Sequence, residues 1–406
     1  MIPLHGQTYS LQDLETRFLT NNLQLIAAKF QVNKVDALII QEKLWPNPTL
    51  NIDNINLWSN ESFERMPNLI GNYGSRQQIN IDLEQLIETA GKRKKRIAIR
   101  TLEKNAAHLE FEEIIRQLKF DLRSNFYSLC RIQLQETQLK EMLELFKQLD
   151  KQYKIQADKK NISQVNYYRI HMELRGIQNE LIDLEEEKLE KIKYLRILCT
   201  LPQLLPEQLE INKSFDISFK VLPSALKDDI LRDNISLKSL HNEINISEQQ
   251  YVLEKAQQIP NLNMLINYER GGNVMNNFIG FGLGIDLPLF NRNKGNIQAA
   301  KLQIEQNQKV LRLRKDELMN EFDRLASLLN LYENHIKQWR EDSGIIQNEI
   351  LDNYAKHLED KQITLLEFID FSQSYREAKK ILFAVKENYL NTYEHLQYLV
   401  GKDLSK

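Results

Sequence analysis

Two stretches of the chain, 68–201 and 289–406, hold no proline and repeat their apolar residues at three-and-four spacing. Leu139, Met142, Leu143, Phe146, Leu149 and Tyr153 show the pattern, with Glu, Lys and Gln between them. That is the period of a helix with an apolar side, and no proline interrupts its hydrogen-bond ladder. Elsewhere the period drops to two. Ile279, Phe281, Leu283, Ile285 and Leu287 alternate with Gly280, Gly282, Gly284 and Asp286. Leu262, Met264, Ile266 and Tyr268 alternate with Asn261, Asn263 and Asn267, and Ile79, Ile81 and Leu83 with Asn80 and Asp82. The segment from Thr49 to Trp58 has the same character with a phase slip near Asn54. These runs predict strands.

The elements fall in one order, twice. A helix (about 10–45, then about 224–258) precedes two strands (about 48–58 and 75–87, then about 260–269 and 277–288). A long helix follows (about 88–158, then about 295–358), then a tight turn and a shorter return helix (163–199, then 364–400). Residues 1–201 and 223–406 are thus two structural repeats joined by a linker, 202–222. Residue matches support the duplication. Asn21 to Leu25 recurs as Asp233 to Leu237 and Pro48-Thr49-Leu50 as Pro260-Asn261-Leu262, both 212 positions on. Ile81-Asp82-Leu83 pairs with Ile285-Asp286-Leu287 and Gly91 with Gly295, 204 on. Lys160-Asn161-Ile162-Ser163 pairs with Lys361-Gln362-Ile363-Thr364, and Leu195 and Leu198 with Leu396 and Leu399, 201 on. A helix over 88–158 would extend ~105 Å at ~1.5 Å per residue, which predicts an elongated molecule.

The strands bring in the membrane. One apolar and one polar face suit lipid on one side and water on the other, and equally suit a half-buried soluble sheet. Trp45 and Phe290 stand at one boundary of the strands, Trp58, Tyr73 and Phe278 near the other, where interfacial aromatics belong. Four strands cannot close a barrel and open edges are not tolerated in lipid, so a membrane reading requires several chains to pool their strands.

Composition narrows the classes. A net charge of −2 lacks the positive field of a nucleic-acid binder. No apolar run reaches membrane-helix length, and mean hydropathy is −0.49. Cys130 and Cys199 sit within helical patterns without CxxC spacing and read as packing residues. The opening MIPLHGQTYS lacks the charged and apolar regions of a secretory leader, so the expectation is a chain whose leader has been removed. That removal would also hide any lipid-anchor cysteine. The seven histidines have no HxxH or HxxxH spacing, so no metal site or other cofactor is expected. The period-two glycines lie within a strand and not at a strand-to-helix turn, against a phosphate loop. Glu185 to Lys188 reads as a solvated helix face, with no sign of an enzyme's nucleophile. The run from Lys92 to Arg96 reads either as an anchor to anionic headgroups or as a solvated patch.

The duplicated plan, the strand openings PNPTLNI and PNLNMLINY, and GFGLGIDLPLFNRNKGNIQAAK at 280–301 resemble the TolC family of outer-membrane efflux proteins. The last segment is most similar to the heavy-metal branch typified by CzcC and CusC. The resemblance implies a mainly α protomer with transmembrane β-strands, three copies of which form a twelve-stranded barrel continued by a long periplasmic α-helical barrel. It implies a passive duct in the outer membrane of a Gram-negative bacterium, with an adaptor protein and an inner-membrane pump of the RND type as partners and heavy metals, other cations or drugs as cargo. The tip turns (Asn161, Ile162, Ser163; Gln362, Ile363, Thr364) would dock the adaptor, although they lack the glycine the family often carries there. Glu367 and Asp370 match the family's acidic tip ring, while repeat one has Asn166 and Arg169 at the corresponding places. Thr364-Leu365-Leu366-Glu367 also fits a capping box that would occupy Glu367. Gly280, Gly282, Gly284 and Asp286 would face the lumen, and Trp45, Trp58 and Phe290 the membrane interface. The alternative is a soluble coiled-coil scaffold with a small β-sheet.

Overall fold

The computed structural model of the chain describes residues 8–210, 225–271, 275–341 and 348–404, with positions 215, 217, 219, 222 and 223 between. Much of the expected linker and residues 342–347 of the second long helix therefore lie outside the described residues. The chain divides into two compact units. The first takes residues 1–29, 111–238 and 314–406; the second takes 30–110 and 239–313. Each unit thus draws on both halves of the chain.

The described elements run α1 (Leu11–Asn21), α2 (Leu23–Glu42), β1 (Thr49–Asp53), β2 (Ile79–Ile87), α3 (Lys92–Asp158) and α4 (Gln164–Leu198). There follow α5 (Leu226–Asp233), α6 (Ile235–Ala256), β3 (Leu262–Arg270), β4 (Asn277–Ile285), α7 (Lys294–Glu341), α8 (Asn348–Glu359) and α9 (Leu365–Val400). Each opening helix, expected unbroken, is split by an asparagine. Asn22 ends α1 by donating its N–H to Phe18 O (3.1 Å), and its Oδ1 accepts the Leu25 N–H of α2 (3.0 Å). Its Nδ2 donates to Leu198 O at the end of α4 (2.9 Å). Asn234 repeats all three bonds, to Ile230 O (3.1 Å), from Leu237 N (3.1 Å) and to Leu399 O (2.7 Å). The backbone N–H closes one helix while the side chain satisfies the end of a second and starts a third, and those two side-chain bonds are what Ala or Leu cannot make.

Other boundaries shift for local reasons. The first strand stops at Asp53 because Asn54 enters the left-handed region (φ 51°), where the phase slip was read. The long helix starts at Lys92 because Ala90 and Gly91 are also left-handed (φ 53° and 65°). Gly295 lies inside α7 at an ordinary φ, so it is not the structural counterpart of Gly91. β2 and β4 begin 198 positions apart, so the offset of 204 does not describe the strands.

In the first unit, Leu14 and Phe18 pack with Leu122 and Phe126 of α3 and Ile192 and Leu195 of α4. Cys130 and Cys199 are buried there, and burial pushes both thiols up, Cys199 to about 12. A second cluster joins Met142 and Phe146 of α3, Ile170 and Ile177 of α4, Leu358 of α8 and Phe368 of α9. The Glu185–Lys188 run is solvated only in part, with Glu185 and Glu186 exposed. Lys188 is buried against Glu136 (3.0 Å) and Glu185 (2.5 Å), and Glu187 bonds Arg131. In the second unit the sheet has the order β1-β2-β3-β4, antiparallel throughout, leaving β1 and β4 as edges.

Candidate functional site

The register sorts every strand position onto one of two faces. Leu50, Leu83, Ile266 and Phe281 form one cross-strand row, and Ile52, Ile81, Tyr268 and Ile279 the next. Met264 and Leu283 pair, as do Leu262 and Ile285. This apolar face is uncovered within the chain, with Phe281 83% and Leu283 73% exposed. A monomeric soluble protein rarely leaves so continuous an apolar surface to water.

On the opposite face Asn267 Nδ2 donates to Asn80 Oδ1 (2.5 Å) and Asp82 Oδ1 (2.6 Å), and Asn80 Nδ2 donates to Asp82 Oδ2 (3.0 Å). Gly280, Gly282 and Gly284 share this face in β4, while Asp286 follows the strand's last residue. The three glycines are not equally open. A Cβ at Gly284 would meet Asn263 Cβ at 3.5 Å, an ordinary contact, whereas one at Gly282 would lie 3.2 Å from Leu265. Phe278 also lies on this face, with its ring over Gly280, and so does not belong with aromatics on the apolar side.

Trp45, Trp58 and Phe290 are all exposed, Phe290 fully. Trp45 carries the Arg93 guanidinium 3.9 Å above its ring. The basic run is largely engaged by the chain itself. Lys92 Nζ donates to Ile259 O and Asn261 Oδ1 (both 2.6 Å), and burial pushes its ammonium pKa down. Lys95 donates to Ala90 O and Arg96 binds Glu42 and Glu88, which leaves Lys94 as the exposed member. A free patch for headgroups is therefore not what these residues form.

Arg270 escaped the sequence reading. It sits in apolar phase at the end of β3, buried, with Nε donating to Gly74 O (2.9 Å) and Nη2 to Pro67 O. It pins the connection between β1 and β2. A charge in phase with Leu262 to Tyr268 was the available signal.

In the first unit, the turns 159–163 and 360–364 have matching geometry. Lys160 and Lys361 both stand at φ 59°, the left-handed position that glycine commonly fills at a helix end. Asn161 N donates to Gln156 O (2.9 Å) and Gln362 N to His357 O (2.8 Å). Asn161 Nδ2 also reaches Gln156 Oε1 (2.7 Å), and Gln362 contacts His357. Ser163 accepts the Val165 N–H (3.2 Å), while Ile162 and Ile363 are half-buried. Thr364 and Glu367 close a full capping box. Glu367 Oε2 accepts from Thr364 N (2.7 Å) and Oγ1 (2.8 Å), and Thr364 Oγ1 accepts the Glu367 N–H (3.2 Å). The backbone bond from Thr364, then its hydroxyl, hold the Glu367 carboxyl below the usual carboxylate range. Asp370, one turn on, is exposed. Among the described residues no helix is long and apolar enough to cross a membrane, and no group of His, Cys, Asp or Glu could hold a metal ion.

The duplicated helical chain with its two-faced, four-stranded sheet has the fold of several solved outer-membrane proteins. CusC, described for its transmembrane channel formation, superposes with a TM-score of 0.78 at 15% identity, covering 97% of this chain and 92% of that one. The Campylobacter jejuni CmeC outer membrane channel gives 0.76 at 14%, covering 96% and 85%. The Vibrio cholerae outer membrane protein VceC gives 0.73 at 14%, covering 97% and 96%. No protein-family model and no curated protein matches the sequence. The chain has the TolC-type fold.

Proposed function

We propose that three copies of this chain form a passive exit duct in the outer membrane of a Gram-negative bacterium. The observation that carries the reading is the sheet. Its exposed apolar face suits lipid, its Asn, Asp and Gly face suits a water-filled lumen, and its two free edges need partners, which twelve pooled strands would provide. The fold shared with CusC, CmeC and VceC supports the same role.

Within this reading Gly280, Gly282, Gly284 and Asp286 line the lumen, and Trp45, Trp58 and Phe290 lie at the membrane interface. The turns at Asn161–Ser163 and Gln362–Thr364 meet a periplasmic adaptor, behind which an inner-membrane pump, of the RND type, supplies the energy. Asp370 is the better candidate for the acidic constriction, because Glu367 already spends one carboxylate oxygen on its helix cap. Efflux of heavy-metal cations or of drugs fits this plan. The test is purification in mild detergent followed by native mass measurement and planar-bilayer recording. A trimer that conducts ions, and loses cation selectivity when Glu367 and Asp370 are both changed to Ala, is the expected result. A protein that is monomeric and soluble without detergent, and that never conducts, refutes it.

A further inference from the structure

In the first unit, α3, α4 and α9 surround a cavity of about 210 Å³. Gln138 and Leu139 of α3 and Leu184 of α4 line it as buried or half-buried residues, and Asp183 of α4 and Lys380 of α9 stand exposed at its rim. The space suits a molecule of several heavy atoms better than a single water.

The two guanidiniums on the wall are already committed. Arg131 donates to Gln135 Oε1 (2.6 Å) and binds Glu187 and Glu387, while Arg376 binds Glu173 (2.6 Å) and Glu180 (3.2 Å). Three groups are not. Asp183 and Lys380 form no ion pair with another described residue. Gln138 is only 8% exposed, yet its Nε2 has no hydrogen-bond partner among the described residues. A buried N–H without an acceptor is disfavoured in a folded chain, so one on a cavity wall points to an acceptor that comes from outside.

Helix packing does not call for these polar residues. The offset of 201 that aligns the two turns carries Arg131, Gln135 and Gln138 onto Tyr332, Ile336 and Trp339, and Glu180 and Asp183 onto Ile381 and Ala384. The second repeat thus has largely apolar groups where the first has a polar set, and Ile336 is fully buried there. Apolar side chains would fill the space without the desolvation cost of buried amides and charges.

We propose that this cavity binds a small zwitterion, an ammonium and a carboxylate joined by a short aliphatic chain. The carboxylate accepts the Gln138 N–H and faces Lys380, the ammonium faces Asp183, and the aliphatic part lies along Leu139 and Leu184. An anion alone would meet the carboxylates of Glu180, Asp183 and Glu187, and a cation alone would leave the Gln138 N–H without an acceptor. The site is complete within one chain and is independent of the duct reading.

Saturation-transfer NMR on the full chain in detergent tests the site, with 4-aminobutanoate as the zwitterion and butanoate and butylammonium as its single-charge counterparts. Binding of 4-aminobutanoate is expected at ~1 mM, at least about tenfold tighter than either counterpart. Gln138→Leu and Asp183→Asn should each weaken it about tenfold. Gln138→Leu removes no hydrogen bond from the Nε2 group, so the unfolding midpoint should not fall, and 4-aminobutanoate should raise the midpoint of the natural chain but not of this variant. Equal binding of butylammonium or butanoate overturns the zwitterion. Binding unchanged in both variants overturns the cavity, and no transfer from 4-aminobutanoate at ~10 mM overturns the site altogether. Trimer formation and conductance are unaffected by any of these outcomes.

Discussion

Arginine scanning along β4 separates the two faces of the sheet most sharply. Leu283 lies beside Met264 on the exposed apolar face, and Gly284, its neighbour in the chain, lies opposite Asn263 on the other. An arginine on the lipid face near mid-bilayer costs ~2–4 kcal/mol per chain, so Leu283→Arg should cost a three-chain assembly ~6–12 kcal/mol. Gly284→Arg should cost little. Its Cβ would make only an ordinary contact with Asn263, the side chain would point into water, and replacing a strand glycine removes backbone entropy from the unfolded chain. Gly282→Arg should fall between them, because its Cβ comes within 3.2 Å of Leu265 and that side chain must shift. The assay is the fraction of folded trimer in lipid vesicles across a urea series, read by the gel mobility of unheated samples. The expected order of loss is Leu283 greatest, then Gly282, then Gly284. Equal loss at 283 and 284, or greater loss at 284, would mean that the faces are assigned the wrong way round.

Asn22→Ala and Asn234→Ala should each lower stability by about 2 kcal/mol, since each removes a helix cap and leaves a buried carbonyl, Leu198 or Leu399, without its donor; thermal unfolding of the two variants measures whether the losses match. Lys160→Gly and Lys361→Gly should each stabilise by up to about 1 kcal/mol, by relieving a left-handed lysine, visible as a raised unfolding midpoint. The Glu367 carboxyl is more acidic folded than unfolded, so its stabilising effect is full above the ordinary carboxylate pKa and fades as pH falls through the lowered folded value. Glu367→Gln should therefore be less stable than the natural chain at neutral pH, and the gap should narrow on acidification; a gap independent of pH would rule out the charge-assisted cap.

What could be read from the residues was whatever their period encodes. The alternation from Ile279 to Ile285 assigns the two faces of β4 without a neighbour, and Thr364 with Glu367 announces a helix start by spacing alone. The break at Asn22 was hidden because apolar spacing continues through it, from Leu14 and Phe18 to Leu25. The bond that makes the break favourable comes from Leu198, 176 residues away. The basic run was misjudged for the same reason: its partners, Glu42, the Ile259 carbonyl and Asn261, arrive from distant segments. Lys188 looks solvated among glutamates until α3 supplies Glu136. Charged residues are poorly read from local pattern because their partners decide their burial, and partners are set by topology.

The short first strand has a further consequence. β2, β3 and β4 continue together to the row of Ile87, Leu262 and Ile285, but β1 begins only at Thr49, with Pro46 and Pro48 in the residues before it. Pro288 stands just beyond β4 at the same end of the sheet. Proline has no N–H to offer, so both outer edges lose donors where the sheet meets its helices. An incoming strand could slide along either edge only until it reached these positions, beyond which each further step would add residues without adding bonds. The prolines thus act as a stop against slippage, and they limit how far runaway edge-to-edge growth could extend from an unassembled chain.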